Sequence, residues 1–346
     1  MAASGLDPST IFPFPLDDFQ LEAIDALNQG HSVVVSAPTG SGKTLVGEYA
    51  IHRALAHGQK VFYTTPLKAL SNQKLRDFRE AYGDDNVGLM TGDLSVNREA
   101  SIVVMTTEIF RNMLYAEASE HDDPLTDVEA VVLDECHYMN DSQRGTVWEE
   151  SIIHCPPSVQ LVALSATVAN AGQLTDWIEK VHGPTTLVLS DHRPVPLQFS
   201  FCSAKGLHPL LNDAGTGLHP NCKVWRAPKG HKRKGRSAKP PQPEPPPISF
   251  VVAQMAERDM LPAIYFIFSR RGCDKAVRDL GIQCLVNKEE QARIRARLKA
   301  YSSENPEAVR DGIHADALLR GIAAHHAGVL PAWKELIEEL FQQGLV

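Results

Sequence analysis

The sequence predicts an α/β protein built on a doubly wound parallel sheet. Three observations carry this. Short apolar runs alternate with amphipathic helical stretches from residue 32 to residue 190. The runs lack polar alternation, as expected of strands covered on both faces. A glycine-rich turn follows the first run directly and opens a helix.

The runs are "VVVSAP" (33–38), "VFYTTP" (61–66), "VGLMTG" (87–92), "IVVMTT" (102–107), "AVVLDE" (130–135), "LVALSAT" (161–167) and "TLVLS" (186–190). Helices are expected between them, for example over 67–81 and 171–181. Ligands in such sheets sit at the carboxyl ends of the strands. A second series begins with an expected strand "AIYFIFS" (263–269) and a helix from about Arg270. A weaker strand "IAAHH" (322–326) precedes a helix over 333–343. Two strands cannot close a doubly wound domain, so the second lobe is expected to be incomplete and the chain a fragment.

Between the series, "LHPLLNDAGTGLHP" (207–220) reads as a β-hairpin turning at 213–217. Lys223, Arg226, Lys229, Lys232, Arg233, Lys234, Arg236 and Lys239 follow with no acid among them, and then "PPQPEPPP" (240–247). Such a stretch buries no core and is expected to be a linker, serving either as a tethered basic arm or as a solvated spacer. The expected organisation is a lobe over 1–195, hairpin and linker over 196–248, and part of a second lobe over 249–346.

Composition narrows the class. Of 346 residues 43% are hydrophobic and 22% charged, which excludes wholesale disorder. The net charge of −8 excludes an all-over basic coat, so any polyanion site must be local. No apolar run approaches the ~20 residues of a membrane span, and no secretory signal opens the chain. Six scattered cysteines do not make a disulfide framework. A cytoplasmic location without membrane contact is expected.

"APTGSGKT" comprises Ala37, Pro38, Thr39, Gly40, Ser41, Gly42, Lys43 and Thr44. Between a strand and a helix it reads as a phosphate loop. Glycines 40 and 42 let backbone N–H groups turn towards phosphate oxygens, and the helix N-terminus adds its dipole. Lys43 is expected to bridge the β- and γ-phosphates of ATP, and Thr44 to hold Mg²⁺. Ala37 stands where a glycine is usual. "VVLDECH" (131–137) puts Asp134 and Glu135 at a later strand end. Asp134 is expected on the metal side and Glu135 beside the attacking water. Cys136 reads as a small buried residue and His137 as a coupling residue. "SAT" ends the next strand, and Ser165 and Thr167 are candidates to relay the γ-phosphate state.

The ordered set "APTGSGKT", "TPLKALSNQK", "TGD", "TTEIFRNML", "DECHYM", "SAT" and "YFIFSRRGCD" resembles superfamily 2 helicases of the DExH-box type. "DECHYMNDSQRGTVWEE", "RPVPL" (193–197) and "AHHAGVLP" (324–331) resemble the superkiller/exosome-helper branch of RNA helicases. The resemblance implies RecA-like lobes and an ATP-dependent helicase or translocase on single-stranded RNA. A DNA helicase and a non-catalytic nucleic-acid-binding fragment stand as alternatives. It implies that Gln20 reads adenine, with Phe12 or Phe14 stacking, against the plain reading of Gln20 as a helix-start residue.

It also places Pro66, Lys68, Gly92, Thr106 and Thr107 on the nucleic-acid face, where Thr107 would serve equally as a helix cap. Ser269 and Arg270 would join them from the second lobe, with Arg271 in reserve. His325 and His326 match the branch's paired histidines and are not expected to bind metal. A zinc site at Cys202, His208, His219 and Cys222 is a weaker alternative without support from the family. The family's later motifs, with their arginine fingers, would follow Val346, so weak hydrolysis is expected of this polypeptide.

Overall fold

The computed structural model describes residues 5–116, 125–222, 245–305 and 312–346. The chain forms two compact units, Met1–Pro196 and Leu197–Val346.

The first unit contains β1 (Ser32–Ser36), β2 (Lys60–Thr65), β3 (Val87–Met90), β4 (Ser95–Val96), β5 (Ile102–Thr106), β6 (Val128–Leu133), β7 (Gln160–Ser165) and β8 (Thr185–Leu189). They form one sheet in the order β4-β3-β5-β2-β6-β7-β1-β8. Each of the seven runs read from the sequence supplies one of these strands. All neighbours are parallel except β4, a two-residue strand antiparallel to β3 that the sequence reading missed. Gly88 permits that return, because a Cβ there would lie 2.0 Å from the Asn97 carbonyl oxygen.

The helices are α1 (Pro8–Ile11), α2 (Asp18–Asn28), α3 (Thr44–Ala56), α4 (Lys68–Tyr82), α5 (Thr107–Ala116), α6 (Gly145–His154) and α7 (Ala171–Val181). Alternate strand residues feed two cores. Val33, Val35, Val61, Tyr63, Val132 and Leu164 pack with residues of α2 and α3 and with Phe78 of α4. Val34, Phe62, Val103, Val131 and Leu161 pack with Phe110, Trp148 and Ile178 of α5, α6 and α7. Both faces of the sheet are therefore dry, which explains why the runs are apolar without alternation. Each fully buried Val or Leu contributes about 1.5–3 kcal/mol of transfer free energy.

The second unit holds β9 (Ser200–Ser203), β10 (Gly206–Pro209), α8 (Ile248–Ala256), α9 (Arg270–Asp279), α10 (Lys288–Glu304), α11 (Gly312–Leu318) and α12 (Pro331–Gln342). β9 and β10 form a hairpin with Leu207 opposite Cys202. The expected turn lies just after it. A bridge joins Leu211 to Leu218, and Asn212 Oδ1 accepts from the backbone N–H groups of Thr216 and Gly217.

The helices expected from Arg270 and over 333–343 form as α9 and α12. The strands expected over 263–269 and 322–326 do not. Phe268 is fully exposed and Phe266 is 78% exposed, whereas Ile322 and Ala324 are buried. A parallel strand needs a neighbour to complete its ladder. Among the described residues of this unit the named strands, β9 and β10, pair only with each other. The basic segment 223–239 lies outside the described residues. No helix among the described residues is long and apolar enough to cross a membrane.

Candidate functional site

The loop between β1 and α3 sits at the carboxyl edge of the sheet. Gly40 and Gly42 hold φ of 83° and 84°, a left-handed backbone that glycine adopts without strain. Ala37 N–H donates to the Ser165 carbonyl at 3.2 Å, tying the loop to β7. Ala37, Pro38, Ser41 and Lys43 are buried, Thr44 is half-buried, and Thr39, Gly40 and Gly42 are exposed. Two donors here are unmet. The Ser41 hydroxyl is buried without a hydrogen-bond partner. Lys43 is only 6% exposed, and no side-chain partner for it is found among the described residues. An ammonium at the end of a largely buried side chain, beside an orphan hydroxyl and the start of a helix, is a cradle that suits an anion.

Gln20 is committed to structure. Its Oε1 accepts from Asp17 N–H at 2.9 Å, closing a capping box on α2, and its Nε2 donates to the Gly42 carbonyl at 3.1 Å. The helix-start reading is therefore correct as far as it goes. One amide hydrogen and one lone pair remain for a base edge. Phe12 is in the core, whereas Phe14 is 54% exposed.

At the end of β6, Asp134 is 8% exposed. Its Oδ2 accepts from the Tyr63 hydroxyl at 2.9 Å and its Oδ1 from Glu135 N–H at 2.9 Å. Burial, reinforced by the Asp134 charge, pushes the Tyr63 phenol well above its usual range, so it stays a donor. Glu135 has φ 52° and ψ 42°, and this left-handed residue swings the chain into the tight turn Cys136–Asn140. Burial pushes the Cys136 thiol up to about 12, which makes it inert.

His137 Nδ1 lies 3.1 Å from Glu135 Oε2 and 3.4 Å from Ala166 N. It can donate to the first or accept from the second, not both. The Ser165 hydroxyl donates to the Ala166 carbonyl at 2.8 Å, while Thr167 is exposed. In the sheet order β7 separates β6 from β1. The loop and the acidic pair thus leave the same edge two inter-strand steps apart, ~10 Å. The Ser165–Thr167 turn lies between them.

Further along this edge, the sequence-predicted nucleic-acid residues are only partly accessible. Lys68 and Asp93 form an exposed ion pair at 2.5 Å. A Cβ on Gly92 would sit 3.7 Å from Lys68 Nζ, so Gly92 adjoins that ammonium. Thr106 is 6% exposed and Thr107 is fully buried. The Thr107 hydroxyl donates to the Thr65 carbonyl at 3.2 Å, which ties the start of α5 to the end of β2. Pro66 is buried, lacks an N–H, and its carbonyl accepts from Arg144.

In the second unit the Ser269 hydroxyl caps α9 by accepting from Gly272 N–H, beside an exposed Arg270. His326 accepts from Gly328 N–H at Nδ1, so its Nε2 proton goes to Asp274 at 3.0 Å. His325 pairs with Glu338 at 2.8 Å. The zinc alternative finds no support. Register places Cys202 and His208 on opposite faces of the hairpin, and the Cys222 thiol points to the Pro209 carbonyl. No group of three potential metal ligands exists among the described residues.

Residues 17–174 match the family of DEAD/DEAH box helicases. That stretch is a DEAD/DEAH box helicase domain. The chain is 46% identical to the chloroplastic DExH-box ATP-dependent RNA helicase DExH15 of Arabidopsis thaliana, over 97% of this chain and 32% of the relative. It is 44% identical to the probable helicase HelY of Mycobacterium tuberculosis, over 96% of this chain and 39% of the relative. It is 37% identical to the ATP-dependent RNA helicase mtr4 of Schizosaccharomyces pombe, over 99% and 32%. The chain thus spans about a third of the length of these relatives.

The first unit also uses residues to which the sequence reading gave no role. Tyr63 braces Asp134, as described. Arg193, from "RPVPL", reaches the Thr39 carbonyl of the loop at 3.4 Å. Arg144 binds Pro66 and Glu108 at once. Arg144 and Arg193 lie in stretches that carry the family resemblance, but the sequence does not name the partner of any of the three, because each partner is distant in the chain.

Proposed function

We propose that this chain is the motor region of an ATP-dependent helicase that moves along single-stranded RNA. One observation carries the proposal: a buried, uncompensated Lys43 lies two strands along the same sheet edge from the braced Asp134–Glu135 pair. ATP's triphosphate supplies the missing counter-charge. Lys43 binds the β- and γ-phosphates, the 37–44 backbone and the start of α3 hold the remaining oxygens, and Gln20 meets the adenine edge with Phe14 alongside. Thr44 and Asp134 are the residues that would hold Mg²⁺, and their hydroxyl and carboxylate oxygens suit a hard cation. That ion, when bound, neutralises phosphate charge.

Glu135 orients the attacking water and accepts its proton. His137 Nδ1 engages either Glu135 or the Ala166 backbone, one at a time, and so switches between the acidic pair and the Ser165–Thr167 turn. Lys68 and the backbone around Gly92 face the sugar–phosphate chain, and Ser269 and Arg270 are the second unit's own candidates for such contacts. Such contacts position a strand without reading its sequence. RNA is favoured over DNA because the relatives DExH15 and mtr4 are named RNA helicases.

The test uses the full-length protein. Lys43→Ala should abolish ATP binding. Glu135→Gln should keep binding and lose about 10²–10⁴-fold in turnover. Single-stranded RNA should stimulate ATPase activity more than DNA of equal length. Normal hydrolysis by Glu135→Gln would refute its role, and a preference for DNA would replace the RNA reading with a DNA translocase.

A further inference from the structure

Arg144 belongs to neither the nucleotide residues nor the strand-facing residues, yet it touches the second set. Its Nη2 donates to the Pro66 carbonyl at 2.6 Å and to Glu108 Oε1 at 2.5 Å, and its Nε donates to the same carboxylate oxygen at 3.1 Å. Pro66 follows β2, Glu108 lies in the first turn of α5 after β5, and β2 and β5 are neighbours in the sheet. The guanidinium carbon stands 5.8 Å from the ring centre of Trp148, itself fully buried.

The backbone that presents Arg144 is rigid for stated reasons. Asp141 Oδ1 accepts from the N–H groups of Gln143 and Arg144 at 2.9 and 3.0 Å. Gly145 N–H donates to the Asp141 carbonyl at 2.9 Å, and a Cβ on Gly145 would lie 2.2 Å from the Met139 carbonyl oxygen. Upstream, the Tyr138 ring stacks on Trp148. This short path is continuous with Glu135 and His137.

An exposed ion pair alone would deserve little weight. Arg144 differs because one planar fork joins a carboxylate in the first turn of α5 and a backbone carbonyl just after β2 while resting on a buried aromatic ring. We infer that Arg144 is a positioning residue, which fixes Pro66 and Glu108 to the turn carrying the Asp134–Glu135 pair and so holds the strand-facing surface in register with the nucleotide site. It touches neither ATP nor the strand. The inference rests on the helicase reading and adds a named residue to it.

The experiment compares wild-type full-length protein with Arg144→Gln, Arg144→Lys and Glu108→Gln. Affinity for a fluorescent oligouridine is measured by anisotropy across a salt series. Binding of a fluorescent ATP analogue, basal ATPase and RNA-stimulated ATPase are measured in parallel. Arg144→Gln should weaken RNA binding about tenfold through misplacement of both segments. Its salt slope should equal that of wild type, because no phosphate contact is lost. ATP affinity and basal ATPase should stay within about twofold, while the RNA concentration for half-stimulation rises.

Glu108→Gln should reproduce the defect, and adding Arg144→Gln to it should cost nothing more. Lysine should rescue little, since it cannot replace the fork. Unchanged RNA affinity overturns the inference, as does a salt slope reduced by about one, which would make Arg144 a phosphate contact. If Arg144→Gln does not fold, Glu108→Gln alone decides by the same criteria. Absence of RNA stimulation in the wild type would instead sink the helicase reading, and the two failures are distinguishable.

Discussion

A single methyl group at position 42 probes the phosphate loop. Gly42 has φ 84°, and a Cβ there would stand 2.9 Å from Gln20 Nε2. Gly42→Ala therefore meets two penalties: left-handed backbone, about 1–2 kcal/mol, and displacement of the glutamine that donates to the Gly42 carbonyl. The expected outcome is a stability loss of about that size, with at least tenfold weaker binding of an ATP analogue. Denaturant melts and equilibrium titration measure the two effects. Tyr63→Phe probes the acidic pair. It leaves a buried Asp134 oxygen without its donor, at a cost of about 1–3 kcal/mol. Because the phenol's raised pKa keeps it protonated, this cost should be constant between pH 6 and pH 9. A loss that grows between pH 6 and 9 would contradict the assignment.

At the scale of elements, legibility followed locality. The phosphate loop could be read because every part of it, strand, Gly40, Gly42, Lys43 and helix, is contiguous. The strands of the first unit were legible because burial on both faces writes itself into one run. Residues 263–269 carry the same apolar signal but form no strand, since a run specifies burial and not the neighbour that completes a ladder. Thr107 shows a related limit: the pattern places it at a strand end but does not say which way its hydroxyl turns, here to the Thr65 carbonyl. Arg144 was invisible because its partners at 66 and 108 are remote in sequence. Amide hydrogen exchange of the 346-residue chain should follow these differences. Amides of β2, β6 and β7, central in the sheet and buried, should exchange slowest, and those of 264–268 among the fastest. Strong protection at 264–268 would show a ladder that the structure lacks.

At the scale of the molecule, each unit has its own core, so unfolding should show two transitions rather than one. The first unit should also be weakened by mild acid. His52 is half-buried, and burial alone pulls its pKa below the usual value. His182 is buried, and the same cause lowers its pKa although its ring nitrogens face the carbonyls of Val159 and Cys155 at 2.9 and 3.2 Å. For both, the unfolded chain takes up a proton near pH 6.5 while the folded unit resists until lower pH. Between those values the unfolded state binds more protons, so stability falls as pH falls. Glu48 works in the opposite direction, since burial raises its carboxyl, but from a starting value of 4.5 that lies further into acid. The calorimetric midpoint of the first unit should therefore drop from pH 7.5 to pH 5.5. Replacing His52 by Phe, which keeps the ring contacts with Phe12 and Tyr82, should flatten the drop. A midpoint that rises on acidification would mean that the charged His182 ring, donating to both carbonyls at once, outweighs the burial of its charge.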